Sequence, residues 1–297
     1  MILITGATGQ YGSQVIKHLI QKGVNVADIG AMVRSEEKAQ KLKTEGVRIH
    51  LGNYEDVDSM RQAFAGVDKL MLVSSNDRGP VTNRTKHHMN AITAAKEAGV
   101  KHIFYTSFVR TPNHAQSAIA DFQNSHIETE DFLKESGMQY TILQNGIYQE
   151  MILPFIGEKV AETGRILFPA HDGEASWVLR EELAEVAAQI LISEGHENKT
   201  YTLTNTDSIG FEQIAGYISA CLGKDISFQS PPADEFQSMM KQGGVPEMYV
   251  GMMTMWGTAV AQNTMNKTDP ALADFLGRKP TSVKQFIDQI FKGDNRL

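Results

Sequence analysis

The opening twelve residues, M-I-L-I-T-G-A-T-G-Q-Y-G, restrict the fold of this chain more than any other stretch. Met1–Thr5 is a short apolar run, too brief for a buried helix and suited to a central parallel strand. Glycines follow at Gly6, Gly9 and Gly12, and Ser13–Lys22 then has the pattern of a helix. In such a turn Gly6 permits the tight bend. Gly9 removes a Cβ that would hold a phosphate off the backbone, and Gly12 lets the helix lie close to the strand. Backbone N–H groups at the helix start face an anion, helped by the positive end of the helix dipole. Strand before and helix after are the context that gives a glycine triplet meaning, since a ligand-free glycine turn is the competing reading. The motif predicts a dinucleotide site, with Thr8, Gln10 and Tyr11 counted among its residues.

The remaining pattern repeats the strand–helix alternation. Strands are expected at Asp28–Val33, Val47–Leu51, Lys69–Ser74, His102–Ser107 and Tyr140–Gln144. Helices are expected at Glu36–Glu45, Val57–Phe64, Val81–Gly99 and Phe122–Ser136. This spacing predicts an α/β fold, a Rossmann-type doubly wound parallel sheet covered on both faces. Ligands of such a sheet bind beyond the C-terminal strand ends, near the point where strand order reverses. Residues 1–150 are read as the dinucleotide-binding domain, with the strand Lys199–Leu203 rejoining its sheet. Residues 151–297 are read as a smaller, mostly helical lobe on the substrate side. Its expected elements are helices at Arg180–Ile192, Phe211–Leu222, Ala233–Gln242, Pro246–Gln262, Pro270–Gly277 and Ser282–Phe291, and a strand near Ile226–Phe228.

Composition narrows the partners. Hydrophobic residues make up 41% and charged residues 21% of the 297, an ordinary globular balance. The net charge of -7 lacks the basic face that non-specific nucleic-acid binding needs. The one cysteine, Cys221, excludes an intrachain disulfide, suits a reducing compartment and is expected to pack in an apolar helix. No apolar run reaches membrane-spanning length, so a cytoplasmic protein is expected, with neither a membrane nor a metal as partner.

The ligand edge carries the candidate site residues. Arg34 ends the second strand in V-R-S, where an NAD-preferring protein places Asp or Glu on the ribose hydroxyl. A guanidinium there suits a 2′-phosphate, so NADP(H) is the expected cofactor, against a merely solvated arginine. Asn53 follows the third strand, within reach of an adenine edge. Ser74, Ser75 and Asn76 follow the fourth, within reach of ribose or bridging oxygens, although turn residues of these types are common. Thr106 and Ser107 end the fifth strand, beside the expected nicotinamide. The usual proton donor of such reductases is a Tyr four residues before a Lys. None of the eight tyrosines has a lysine at that spacing. His126 and Glu130, four apart on the following helix, stand there instead and are expected as an ion pair or surface contact rather than a catalytic dyad. Asn145 and Tyr148 follow the sixth strand and are the candidate catalytic residues. Met151, Phe155, Trp177, Met239, Met252, Met253 and Trp256 offer a soft apolar wall for a flat acceptor, or ordinary lobe packing.

With these residues in view, G-A-T-G-Q-Y-G, M-V-R-S, Y-T-S, H-I-E-T-E, L-Q-N-G-I-Y and E-G-H-E-N-K-T-Y, in this order, resemble the NmrA-like atypical short-chain dehydrogenases, particularly the quinone- and dye-reducing ones. The likeness is strong to about Leu203 and looser beyond. It implies that Gly6, Gly9, Gln10, Gly12 and Arg34 hold NADPH and that Asn145, with Tyr148 beside it, lies near the nicotinamide. It also implies an aromatic or quinone acceptor and a homodimer. Gln144 departs from the arginine usual in that family, and Met248–Thr264 is unusually rich in methionine. Both departures bear on the acceptor. The family also contains regulators, so a non-catalytic NADP(H)-binding redox sensor stands beside the reductase as the alternative.

Overall fold

The computed structural model describes residues 1–76 and 81–292, so the last five residues of the expected lobe lie outside the described residues. Two compact units emerge, each assembled from separate stretches of chain. The first comprises Met1–Phe108, Asp121–Asn145 and Arg180–Leu203; the second comprises Val109–Ala120, Gly146–Leu179 and Thr204–Leu297.

The first unit alternates β1 (Ile2–Ile4), α1 (Gln10–Gln21), β2 (Ile29–Val33), α2 (Gln40–Thr44), β3 (Arg48–Leu51), α3 (Val57–Ala63), β4 (Lys69–Leu72) and α4 (Val81–Glu97). It continues with β5 (His102–Phe108), α5 (Ala120–Glu135), β6 (Gln139–Asn145), α6 (Arg180–Ile192) and β7 (Lys199–Leu203). The strands form one seven-stranded sheet in the order β7-β6-β5-β4-β1-β2-β3. Every neighbouring pair is parallel. This is the Rossmann-type doubly wound sheet, with the order reversing between β1 and β4.

Burial explains the apolar strands. Leu3, Leu70, Leu72, Ile103, Tyr105 and Ile142 cover one face and pack against Met60, Ile92, Ala95 and Leu133 from α3, α4 and α5. Each fully buried Leu or Ile contributes about 1.5–3 kcal/mol over an exposed one. On α1 and α6, which pack together, Val15, Ile16, Leu19, Val186, Ala187 and Ile190 are buried. Gly99, at φ +78°, turns the chain out of α4, and Val100 N–H closes that end on Ala95 O at 3.0 Å. The expected helix at Glu36–Glu45 is only half α-helical. Glu36–Ala39 forms a 3₁₀ turn, because Ala39 and Leu42 are the only buried residues of the segment and give it little apolar face to dock.

The second unit is held by an aromatic core. Phe155 stacks on Phe168 at 4.6 Å, Phe168 meets Phe211 at 4.8 Å, and Trp177 meets Phe211 edge-on at 5.9 Å. Its strands are short pairs. The strand expected near Ile226–Phe228 runs Ser227–Gln229 and pairs in parallel with Arg165–Leu167, a partner whose three residues gave no sequence signal. The helices Glu247–Ala261, Ala271–Leu276 and Val283–Lys292 begin one residue inside their expected starts. Cys221, expected to be packed away, is half-buried, and burial pushes its thiol above the ordinary value. Among the described residues no helix is long and apolar enough to cross a membrane.

Candidate functional site

The site begins where β1 stops. Thr5 is fully buried, and its Oγ1 accepts from Tyr54 OH at 2.7 Å and from Val73 N–H at 2.9 Å, stitching the ends of β1 and β4 together. The chain then turns at Gly6, φ +58°, a left-handed conformation that favours glycine. Gly9 N–H donates to Gly6 O at 2.9 Å and starts α1. A Cβ on Gly9 would lie 3.1 Å from Gly6 O, whereas one on Gly12 would lie 2.5 Å from the same atom. Gly12 is therefore what lets the helix sit on the turn. No side chain caps α1 and no acid occupies its first turn, so the amides there are left to an outside anion.

The other loop residues divide in role. Thr8 and Gln10 are exposed, and Gln10 Oε1 accepts from Arg180 at the start of α6. Tyr11, counted with the loop, is buried instead, its hydroxyl donating to Leu183 O at 3.4 Å, so it ties α1 to α6. Arg34 is exposed at the end of β2, and Glu36, two residues on, pairs with Lys43 at 3.1 Å. Asn53 spends its side-chain oxygen on its own turn, accepting from Glu55 N–H at 3.2 Å.

Beyond β4 the structure builds a polar network that sequence reasoning missed. Ser74 N–H donates to Thr106 Oγ1 at 2.8 Å. Ser75 is held three ways by α4: its N–H donates to His88 Nε2 at 2.9 Å, its hydroxyl meets His87 Nδ1 at 3.1 Å, and its carbonyl accepts from Arg84. Arg84 also donates to His126 Nε2 at 2.9 Å and lies over the Phe122 ring. These donors fix both tautomers. His126 must carry its proton on Nδ1 and give it to Tyr105 OH at 2.7 Å; His88 must carry its own on Nδ1, which faces Thr129 Oγ1 at 2.9 Å and Tyr105 OH at 3.2 Å. Thr129 passes its own proton to Ser125 O at 2.7 Å. Burial pushes Tyr105 well above the ordinary phenol value, and burial, with the charges of Arg84 and His87, pushes His88 well below the ordinary imidazole value. The available signal was R-T-K-H-H, which puts Arg84 and His88 one helical turn apart on α4.

His126 and Glu130 are not a surface contact. They are 2% and 1% exposed, and each has its own partners. Glu130 takes the Ser107 hydroxyl at 2.5 Å and the Gln144 side-chain amide at 3.1 and 3.3 Å, with Lys134 Nζ at 3.7 Å. Thr106, Ser107 and Asn145 stand together at the ends of adjacent strands, Ser107 in register with Gln144 and Phe108 with Asn145. Asn145 is 1% exposed, yet neither its Nδ2 nor its Oδ1 has a hydrogen-bond partner. Tyr148 belongs to the second unit, in the two-residue strand Ile147–Tyr148. Of the expected apolar wall, Phe155 and Trp177 are fully enclosed in that unit's aromatic core, while Met239 is exposed.

A glycine loop opening into an uncapped helix, on a seven-stranded parallel sheet with an arginine closing β2, defines a dinucleotide-binding protein of the Rossmann class. The NmrA-like family model matches residues 1–289, and the chain belongs to that family. It is 33% identical to quinone oxidoreductase 2 of Escherichia coli over 99% of this chain and all of that protein. It is 28% identical to an NAD(P)H azoreductase of Xenophilus azovorans over 85% of each chain. Among solved structures, the triphenylmethane reductase of Citrobacter sp. complexed with NADP(H) superimposes with a TM-score of 0.90 at 34% identity, covering 97% of this chain and 99% of that one. The E. coli quinone oxidoreductase complexed with NADPH gives 0.89 at 33% identity with the same coverage.

Proposed function

We propose that this protein is an NADPH-dependent reductase that delivers hydride to a quinone or similarly conjugated aromatic acceptor without a Tyr–Lys proton relay. The observation that carries the reading is the state of the groups that would otherwise supply the proton. Tyr105 has its hydroxyl inside the buried network, and both ring nitrogens of His126 are committed, one to Arg84 and one to Tyr105. Reduction of a simple ketone makes an alkoxide that demands a positioned acid in the transition state. Reduction of a quinone leaves a delocalised phenolate-like anion, of pKa about 10, that water protonates afterwards. A cationic dye is simply neutralised. Names of relatives that reduce quinones and azo compounds agree with this chemistry.

The residues fit the cofactor. The uncapped first turn of α1 suits its pyrophosphate, exposed Arg34 suits a 2′-phosphate, and the unpartnered amide of buried Asn145 suits a group with both a donor and an acceptor. When bound, the nicotinamide supplies the hydride. The protein positions the acceptor and excludes water. Thr5 and Tyr54 hold the gap between β1 and β4, and the α4 clamp on Ser75 fixes the loop beyond β4.

The test is steady-state assay of NADPH oxidation with simple ketones, quinones and a cationic triphenylmethane dye. Turnover with quinones or the dye and none with ketones is expected. Efficient ketone reduction would refute the reading. Stable NADPH with every acceptor, alongside tight NADP(H) binding, would assign the protein to the sensor class.

A further inference from the structure

We infer that Ser107 is a hydrogen-bond acceptor for the carboxamide NH₂ of the nicotinamide, made so by Glu130 and Gln144, which act as positioning residues. The inference rests on the NADPH reading above. A serine hydroxyl ordinarily turns to suit whatever it meets, donating or accepting. Here it has no such freedom. Ser107, Gln144 and Lys134 all meet Glu130 as donors, at 2.5, 3.1 and 3.7 Å, so the carboxylate is the acceptor at each of these contacts. The Ser107 proton is therefore directed into the α5 side of the sheet, in a short charge-assisted bond. Gln144 cannot turn its amide over, because its oxygen accepts from Thr202 Oγ1 at 3.4 Å while its nitrogen serves Glu130. What remains on the Ser107 oxygen is a lone pair at the C-terminal end of β5, on the half of the sheet beyond the β1–β4 reversal. Adenosine occupies the first half of such a sheet, so the nicotinamide half falls here.

Ser107 stands in register beside Gln144, and Asn145 follows it on β6 with both amide atoms unpartnered. A carboxamide presents one NH₂ and one carbonyl. The committed serine offers only an acceptor, so the NH₂ is the group it can take, and the carbonyl is left to a donor such as Asn145 Nδ2. Buried carboxylate, serine and glutamine thereby fix the polarity of the cofactor contact as well as the local packing.

The experiment is a cycle between protein and ligand, measured by calorimetric titration. NADP⁺ and its acetylpyridine analogue, in which a methyl ketone replaces the carboxamide, are titrated into wild type, Ser107→Ala and Glu130→Gln. The analogue keeps the carbonyl and lacks the NH₂. Wild type is expected to favour NADP⁺ over the analogue by about tenfold, the scale of one hydrogen bond. In Ser107→Ala that preference should collapse, with NADP⁺ weakened and the analogue unchanged. In Glu130→Gln the preference should narrow although Ser107 is still present, since its hydroxyl regains freedom to turn. Equal losses for both ligands in Ser107→Ala would overturn the inference, and equal losses in Glu130→Gln would reduce Glu130 to a structural role. Failure of wild type to bind NADP⁺ at all would strike the NADPH reading instead, which keeps the two failures distinct.

Discussion

His126 donates its Nδ1 proton to the hydroxyl oxygen of Tyr105 across 2.7 Å, and the tyrosine that accepts it is fully buried in the sheet's core. The direction follows from Arg84, which can only donate and which occupies the other imidazole nitrogen. Tyr105→Phe should therefore strand a buried N–H without touching chemistry. A loss of about 1–3 kcal/mol in urea unfolding is expected, with kcat for a quinone within a factor of about two, well under the tenfold that 1.4 kcal/mol of barrier represents. A collapse of kcat in a stably folded Tyr105→Phe protein would make the phenol a proton donor.

Stability should fall as the medium is acidified from neutrality. His88 is held neutral well below its ordinary value of 6.5 by burial and by Arg84 and His87, and His102 is lowered to about 4, chiefly by burial. His102 stacks on Phe104 at 4.0 Å and meets Thr141 Oγ1 at 2.8 Å. Below pH 6.5 the unfolded chain binds protons at both rings and the folded protein does not. Each ring then removes about 1.4 kcal/mol of stability per pH unit, down to its own folded value. Asp68, held at about 2 by Lys101 and the N-terminal amine, adds its loss only below the ordinary carboxylate range. Unfolding free energies from urea titrations should be lower at pH 5.5 than at pH 7.5 by about 1.4 kcal/mol for each ring, and His102→Gln should reduce the difference. Equal free energies would mean that both rings are protonated in the folded protein at pH 5.5.

Arg34 provides the cofactor test. It stands exposed at the end of β2, and neighbouring Glu36 is engaged with Lys43. Arg34→Asp should remove a charge-assisted contact of about 1.5–3 kcal/mol, roughly 10- to 100-fold in NADPH affinity, and leave NADH unchanged or improved. Titration of both cofactors decides it. Parallel losses would show that the guanidinium does not read the phosphate.

The sequence disclosed what is local and periodic. M-I-L-I-T-G and the β-strand spacings mark the sheet because a parallel strand buried on both faces must be apolar, and Gly12 is legible because a helix this close to its turn excludes a Cβ. It concealed what depends on partners far along the chain. Nothing around Arg84, His87 or His88 announces that all three converge on Ser75, because that convergence exists only once α4 packs beside β4. His126 and Glu130 illustrate the same limit. Their four-residue spacing gave proximity to each other, whereas it gave no sign of the partners that each finds on α4 and on neighbouring strands β5 and β6. The 3₁₀ start of the segment at Glu36 shows the converse: helix-forming residues do not suffice where little apolar face is available to dock.

Asn145 allows stability and function to be separated. Its side chain is 1% exposed, yet neither amide atom has a hydrogen-bond partner in the protein alone. A buried amide without partners costs on the order of 1–3 kcal/mol, a cost the fold carries without local compensation. A strained or unsatisfied group of this kind is tolerated where a ligand completes it. Replacing it with leucine, which has the same side-chain branching and no polar atoms, should raise the stability of the ligand-free protein by about 1 kcal/mol or more. The same change should lower kcat with quinones and reduce the stabilisation that NADP⁺ confers, because the carboxamide then meets a hydrocarbon. Asn145→Ala should also lower kcat, but without the gain in stability, since it leaves a cavity. The check is thermal unfolding of wild type, Asn145→Leu and Asn145→Ala with and without NADP⁺, alongside turnover. If Asn145→Leu destabilised the ligand-free protein while leaving turnover intact, the amide would be serving the fold, and the nicotinamide contact would have to come from elsewhere on the strand edge.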